Sequence, residues 1–186
     1  MWAKQTQKGF TIVELLIVIV VIGILAAITI VAYSGIQNRA SDASVQSDLA
    51  NITKAFEIFK IDNGQYPTAV PGIPIPTSIN VKVGKGAYMI SPTTPTNLTA
   101  CFSDDGSEVA VVALSKSGKA FYMYSVEGTA TKVLPVAWNT NSTTRCKNIN
   151  ANLSNNDPVT GNARNYNGYN APDVTTGPWR AWAGGN

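Results

Sequence analysis

The sequence predicts an α+β protein: a long N-terminal α-helix packed on an antiparallel β-sheet of about four strands, with a loop-rich C-terminal region. Three observations carry this. Residues 15–38 form a run of 24 without a single charge. Beyond it, Val45, Leu49, Ile52, Phe56 and Phe59 recur at spacings of 4, 3, 4 and 3, which is the apolar stripe of an amphipathic helix. Further on, apolar or alternating runs are separated by tight turn signals at hairpin spacing.

The uncharged run comes first. As a helix it is about 36 Å long, enough to cross the hydrocarbon core of a bilayer with some tilt. A secretory signal has a shorter apolar core, about 7–15 residues, with small residues and cleavage after it. Here the small residue, Gly9, precedes the run, so cleavage there would keep the membrane segment on the mature chain. Lys4 and Lys8 in the leader put the N-terminus on the cytoplasmic side and the C-terminal domain outside.

The amphipathic stripe extends the same helix, giving one predicted element from Thr11 to Asp62. Asp48, Lys54 and Glu57 mostly fall off the stripe. Asn63-Gly64 and Pro67 stop the helix. The proline-rich stretch 68–97 reads as a surface loop, with a short strand around Val81–Val83. Strands follow at Leu98–Ser103, Glu108–Ser115, Ala120–Glu127 and Thr131–Val136. One sheet face should cover the helix stripe, and the other should meet the C-terminal region or a neighbouring subunit. The final stretch, 139–186, is rich in Asn, Gly and Thr. Its aromatics Tyr166, Tyr169, Trp179 and Trp182 are expected to pack this tail on its own domain, with a partner or sugar as the alternative.

Composition excludes several classes of function. Of the 14 basic residues, set against 11 acidic ones, two lie in the leader, so the rest of the chain is nearly neutral and gives no strong nucleic-acid signal. Histidine is absent, which removes the commonest general base and metal ligand. There is no P-loop, no nucleophile elbow and no zinc spacing, so neither an enzyme nor a cofactor is expected. Asp104, Asp105 and Glu108 form an acidic turn without EF-hand spacing, read as a solvated hairpin turn rather than a calcium site. Cys101 and Cys146 both follow the apolar run. In an exported domain they are expected to form a disulfide, two reduced thiols being the alternative.

The residues Lys8-Gly9-Phe10-Thr11-Ile12-Val13-Glu14-Leu15-Leu16, followed by Ile17 through Tyr33, resemble the N-terminus of a type IV prepilin or pseudopilin. The resemblance covers roughly residues 8–40, and Gly64-Gln65-Tyr66-Pro67 after the helix also resembles an element of many pilins. It implies a leader peptide at 1–9, a transmembrane and filament-core helix at 10–38, and a periplasmic or extracellular globular domain at 39–186. A prepilin peptidase would cut between Gly9 and Phe10, and Phe10 would be N-methylated. Glu14 would pair with the Phe10 amine of a neighbouring subunit during assembly. The physics agrees, because a carboxylate at the edge of an apolar helix is costly unless paired, and a pair also fixes axial register.

The implied function is that of a structural subunit of a type IV pilus serving adhesion, motility or DNA uptake. The implied partners are identical subunits, the assembly machinery and the cytoplasmic membrane before assembly, and the final location is the cell surface. The alternatives are a pseudopilin of a type II secretion or competence apparatus, or a membrane-anchored binding domain that never polymerises. The chain departs from the family at Val31, where many type IV pilins carry a proline. Without it the helix has less reason to kink there.

Overall fold

The computed structural model describes residues 9–67, 79, 81–90, 96–138 and 141–154. The leader residues 1–8, most of the proline-rich stretch and the tail aromatics lie outside the described residues. The chain divides into two units between Gln37 and Asn38.

In the first unit, helix α1 (Ile12–Asn63) begins. It runs through Val31 without interruption, as expected for a segment that lacks proline. Every large apolar side chain from Phe10 to Ile36 is about half exposed or more, from 48 % at Val21 to 88 % at Phe10. Hydroxyls here find partners within the helix: Thr29 Oγ1 donates to the Ala26 carbonyl and Ser34 Oγ to that of Val31, each at 2.9 Å. Such bonds spare an apolar environment an unsatisfied hydroxyl.

The second unit contains the C-terminal part of α1 and a five-stranded antiparallel sheet. The strands are β1 (Leu98–Ser103), β2 (Val109–Leu114), β3 (Ala120–Tyr124), β4 (Lys132–Val133) and β5 (Leu153–Ser154). Their spatial order is β4-β3-β2-β1-β5. The first three form a meander whose turns carry glycines with positive φ, Gly106 (+70°) and Gly118 (+89°), a conformation that only glycine adopts freely.

The alternation of β1–β3 builds two apolar layers. Ala100, Phe102, Val109, Val111, Ala113, Phe121 and Met123 share a core with Val45, Leu49, Ile52 and Phe56 of α1. Phe56 meets Phe102 edge-to-face at 5.2 Å between ring centroids. On the other side, Cys101, Ala110, Val112, Leu114 and Tyr124 pack with Leu134, Cys146 and Leu153. Much of that face is therefore covered by the chain's own later segments, including α2 (Ser142–Ile149).

Polar side chains of α1 tie the surrounding loops to this layer. Asp42 accepts from the Ser117 hydroxyl and pairs with Lys119 Nζ at 3.3 Å. Asp48 Oδ2 accepts from the Gly84 N–H (2.8 Å) and the Tyr88 hydroxyl (3.1 Å). Glu57 accepts from the Tyr66 hydroxyl, and Lys60 Nζ donates to the Ser107 carbonyl at 3.2 Å while lying over the Tyr66 ring. Tyr66 of the Gly-x-Tyr-Pro element is thus a buried anchor, 1 % exposed. Helix α1 stops where Gly64 takes φ +79° and donates its N–H to the Lys60 carbonyl at 2.7 Å.

The expected antiparallel sheet is present, with a fifth strand because β5 adds to β1 from a region expected to be loop. Four other expectations need correction. The third strand ends at Tyr124, with Ser125–Glu127 forming a 3-10 turn, and the fourth shrinks to Lys132–Val133. No strand forms at Val81–Val83; those valines pack against the helix-side core, Lys85–Ala87 is a 3-10 turn, and Tyr88 makes a lone bridge to Ser115. Asp48 is buried rather than off the stripe, because it sits one turn from Ile52 and has hydrogen-bond donors from the 84–88 segment.

Candidate functional site: the N-terminal segment

The expected processing and assembly residues lie at the start of α1. Gly9 and Phe10 are exposed and precede the helix without regular structure. A Cβ placed on Gly9 would meet nothing within 4 Å.

Thr11 and Glu14 close the helix start as a reciprocal pair. The Thr11 N–H donates to Glu14 Oε2 at 2.8 Å, and the Thr11 hydroxyl donates to the same oxygen at 2.7 Å. The Glu14 N–H returns a bond to Thr11 Oγ1 at 3.2 Å. This is a capping box, in which Thr-x-x-Glu satisfies backbone donors that a helix start leaves unpaired. The Thr-x-x-Glu spacing is the sequence signal of this capping role, which the sequence reading did not assign to Thr11. The carboxylate also sits in the first helical turn, where the macrodipole favours negative charge.

Chemically, the segment offers an accessible peptide bond before a helix, one anchored carboxylate, and an apolar surface that water does not tolerate at this size. The helix is long and apolar enough to cross a membrane.

Cys101 and Cys146 belong to the second unit and are joined as a disulfide with Cα atoms 5.6 Å apart. It fastens β1 to α2, and both residues are fully buried. Helix α2 was missed because Ser-Thr-Thr-Arg-Cys-Lys-Asn-Ile has no apolar period. Its one sequence signal is Asn141, whose side chain accepts from the Thr144 N–H at 3.2 Å as an N-cap.

The acidic turn organises itself. Asp105 Oδ1 accepts from the Ser103 hydroxyl (2.6 Å), the Ser107 N–H (3.0 Å) and the Ser107 hydroxyl (2.7 Å). Those bonds, Ser103's first, hold its carboxyl down to about 2. Glu108 accepts from the Tyr124 hydroxyl at 2.5 Å. A cleft of about 510 Å³ adjoins this turn, and its lining includes Lys147 and Asn152. Among the described residues no group of three or more His, Cys, Asp or Glu side chains is placed to hold a metal ion.

Comparison with known proteins bears on the N-terminal segment. Residues 4–30 match the family described as the prokaryotic N-terminal methylation motif. The chain is 37 % identical over 70 residues to the type II secretion system core protein G of Klebsiella michiganensis, covering 38 % of this chain and 49 % of that protein. It is 36 % identical over 73 residues to the protein of the same name from Escherichia coli K12, covering 39 % and 50 %. With that of Dickeya chrysanthemi it shares 30 % identity over 92 residues, covering 50 % and 52 %. The chain spans about half the length of the curated relatives it matches. No solved structure matches it. The N-terminal segment thus carries the methylation motif of prepilin-like proteins and is similar in sequence to type II secretion core protein G.

Proposed function

We propose that the chain is a pseudopilin: a structural subunit that polymerises through its N-terminal helix as part of a type II secretion apparatus. The observation that carries this reading is the likeness of its N-terminal part to core protein G together with the methylation motif. That likeness supports the secretion reading better than the expectation of a cell-surface pilus serving adhesion, motility or DNA uptake. The relatives are named as secretion-system core proteins rather than enzymes, and this sequence lacks histidine, a P-loop and a nucleophile elbow.

In this reading a prepilin peptidase cuts between Gly9 and Phe10, and Phe10 becomes the methylated N-terminus. The span 10–38 is held in the cytoplasmic membrane first and in a helical bundle afterwards, while 39–186 stays outside. Glu14 keeps one carboxylate oxygen on its own capping box, and the other accepts the ammonium of a neighbouring subunit's Phe10. A desolvated pair of this kind rewards only the correct axial stagger, because a misplaced subunit leaves a carboxylate unpaired. The partners are further copies of the chain, the peptidase and the secretion assembly machinery.

The test is Glu14→Ala in a host whose own copy of the gene is deleted. The variant should be processed and inserted like the parent, yet fail to form filaments and fail to restore export of secreted proteins. Normal filaments from the variant would refute the role of Glu14. Filaments that form on the wild-type chain, with export unaffected by the deletion, would return the reading to a pilus subunit.

A further inference from the structure

Arg145 and Cys146 are consecutive on α2, and both are fully buried. Their partners stand close together along the chain at β1. Arg145 Nη2 donates to Thr96 Oγ1 at 2.8 Å and to Thr99 Oγ1 at 2.7 Å, while Cys146 is bonded to Cys101. Thr99 and Cys101 are two residues apart in β1, so their side chains leave the same face of the sheet. Helix α2 is therefore tied to one strand twice, side by side: once by reversible hydrogen bonds and once covalently. The Trp138 ring lies 4.3 Å from the guanidinium carbon and stacks on the same cation.

We propose that Arg145 is a positioning residue for the disulfide: its guanidinium draws α2 onto β1 and thereby brings Cys146 to Cys101. A helix of eight residues has little stability of its own, and α2 offers few apolar side chains to hold it on the sheet. A buried arginine is costly to keep, and burial lowers this one to about 10, which still leaves it charged at neutral pH. Its planar donors and aromatic stacking are well suited to fixing an orientation, and charge-assisted bonds are the stronger directional ones.

The chemistry places the effect on one step. One cysteine thiolate attacks the sulfur–sulfur bond of an oxidant, a small-molecule or protein disulfide, forming a mixed disulfide and expelling the first oxidant thiolate. The second cysteine, as thiolate, attacks its partner's sulfur in the mixed disulfide and expels the second oxidant thiolate. The cysteine pair has then lost two electrons and two protons, and the oxidant has become two thiols. Both cysteines are buried once α2 is docked, so the first exchange happens with α2 open and the second as it closes. Arg145 acts on that closing step, which is intramolecular and depends on how often the second sulfur is within reach.

The test is reoxidation of the reduced full chain in detergent micelles by glutathione disulfide, with species trapped by acid and resolved by mass. Arg145→Met should slow closure by about tenfold or more, the scale of losing one charge-assisted hydrogen bond, and should accumulate the mixed disulfide with glutathione. Thr99→Val should act in the same direction, and Arg145→Lys should restore part of the rate. Phe56→Leu, which weakens the opposite sheet face, should close at the wild-type rate. If Arg145→Met prevents folding of the reduced chain, the Thr99→Val rate decides. Closure at the wild-type rate in both Arg145→Met and Thr99→Val, or equal slowing by Phe56→Leu, would overturn the proposal. None of these readouts depends on filament assembly, so they stand whether or not the chain is a pseudopilin.

Discussion

Two buried aspartates on one face of α1 should respond oppositely to loss of charge. Asp42 is 7 % exposed and Asp48 is 8 % exposed. Burial pulls the Asp42 carboxyl up, but the hydroxyls of Ser117 and Ser115 and the Lys119 ammonium outweigh it, leaving the group below its ordinary value. For Asp48, burial outweighs the Gly84 N–H and the Tyr88 hydroxyl, leaving it above its ordinary value. A lowered folded-state value adds stability that is complete above the unfolded value and is lost as pH falls through the folded one. A raised value does the reverse: its contribution is complete below the unfolded value and is lost as pH rises through the folded one. Asp42→Asn leaves an amide oxygen that can still accept from Ser117, so it turns a charge-assisted bond into a neutral one, a loss of about 1 kcal/mol. Lys119 is largely solvated and adds no more than about 0.5 kcal/mol. A loss of about 1–1.5 kcal/mol at neutral pH is therefore expected, shrinking in acid. In Asp48→Asn the amide oxygen can accept both bonds that Oδ2 now accepts, and the buried charge is gone. Its stability should stay within about 1 kcal/mol of wild type or rise, since a neutral acceptor avoids the desolvation penalty. Denaturant unfolding of the full chain in micelles between acid and neutral pH measures both. Equal losses in the two variants, or a larger loss in Asp48→Asn, would refute the assignment.

Other consequences follow from the core and the disulfide. Phe56→Ala should cost about 3–5 kcal/mol, because it empties a fully buried site against Phe102, and calorimetry would register the fall in Tm. Replacing Cys101 and Cys146 together by alanine should cost up to about 4 kcal/mol, the chain-entropy value for a loop of this length, read from denaturant midpoints. Thr11→Val should loosen the first turn of α1 by about 1 kcal/mol, seen as faster amide exchange over residues 12–15 with no change in the second unit.

Strong periodicity was legible in the sequence and weak periodicity was not. The uncharged run, the 3–4 stripe from Val45 to Phe59 and the glycine-bearing hairpin turns each repeat one signal several times, and each marks an element that forms. Helix α2 and strand β5 repeat nothing. They are placed by contacts distant in sequence: the Cys101–Cys146 bond, the Arg145 bonds to Thr96 and Thr99, and the pairing of Phe102 with Ser154. Asp48 was misjudged for the same reason, since its donors are 36 and 40 residues away. At the candidate site Gly9, Phe10 and Glu14 were conspicuous because a charge and a glycine stand out beside an apolar run. Thr11 was not, because its role is a pair of short-range hydrogen bonds rather than a break in composition.

In the proposed function this chain is processed before its apolar helix and then polymerises through it. Intact-mass and N-terminal sequencing of the subunit, recovered from filaments assembled by its host, tests this most directly. The recovered subunit should begin at N-methylated Phe10, with Glu14 five positions in from that new terminus counting inclusively. A chain that still carries residues 1–9 and stays in a non-filamentous membrane fraction would contradict it.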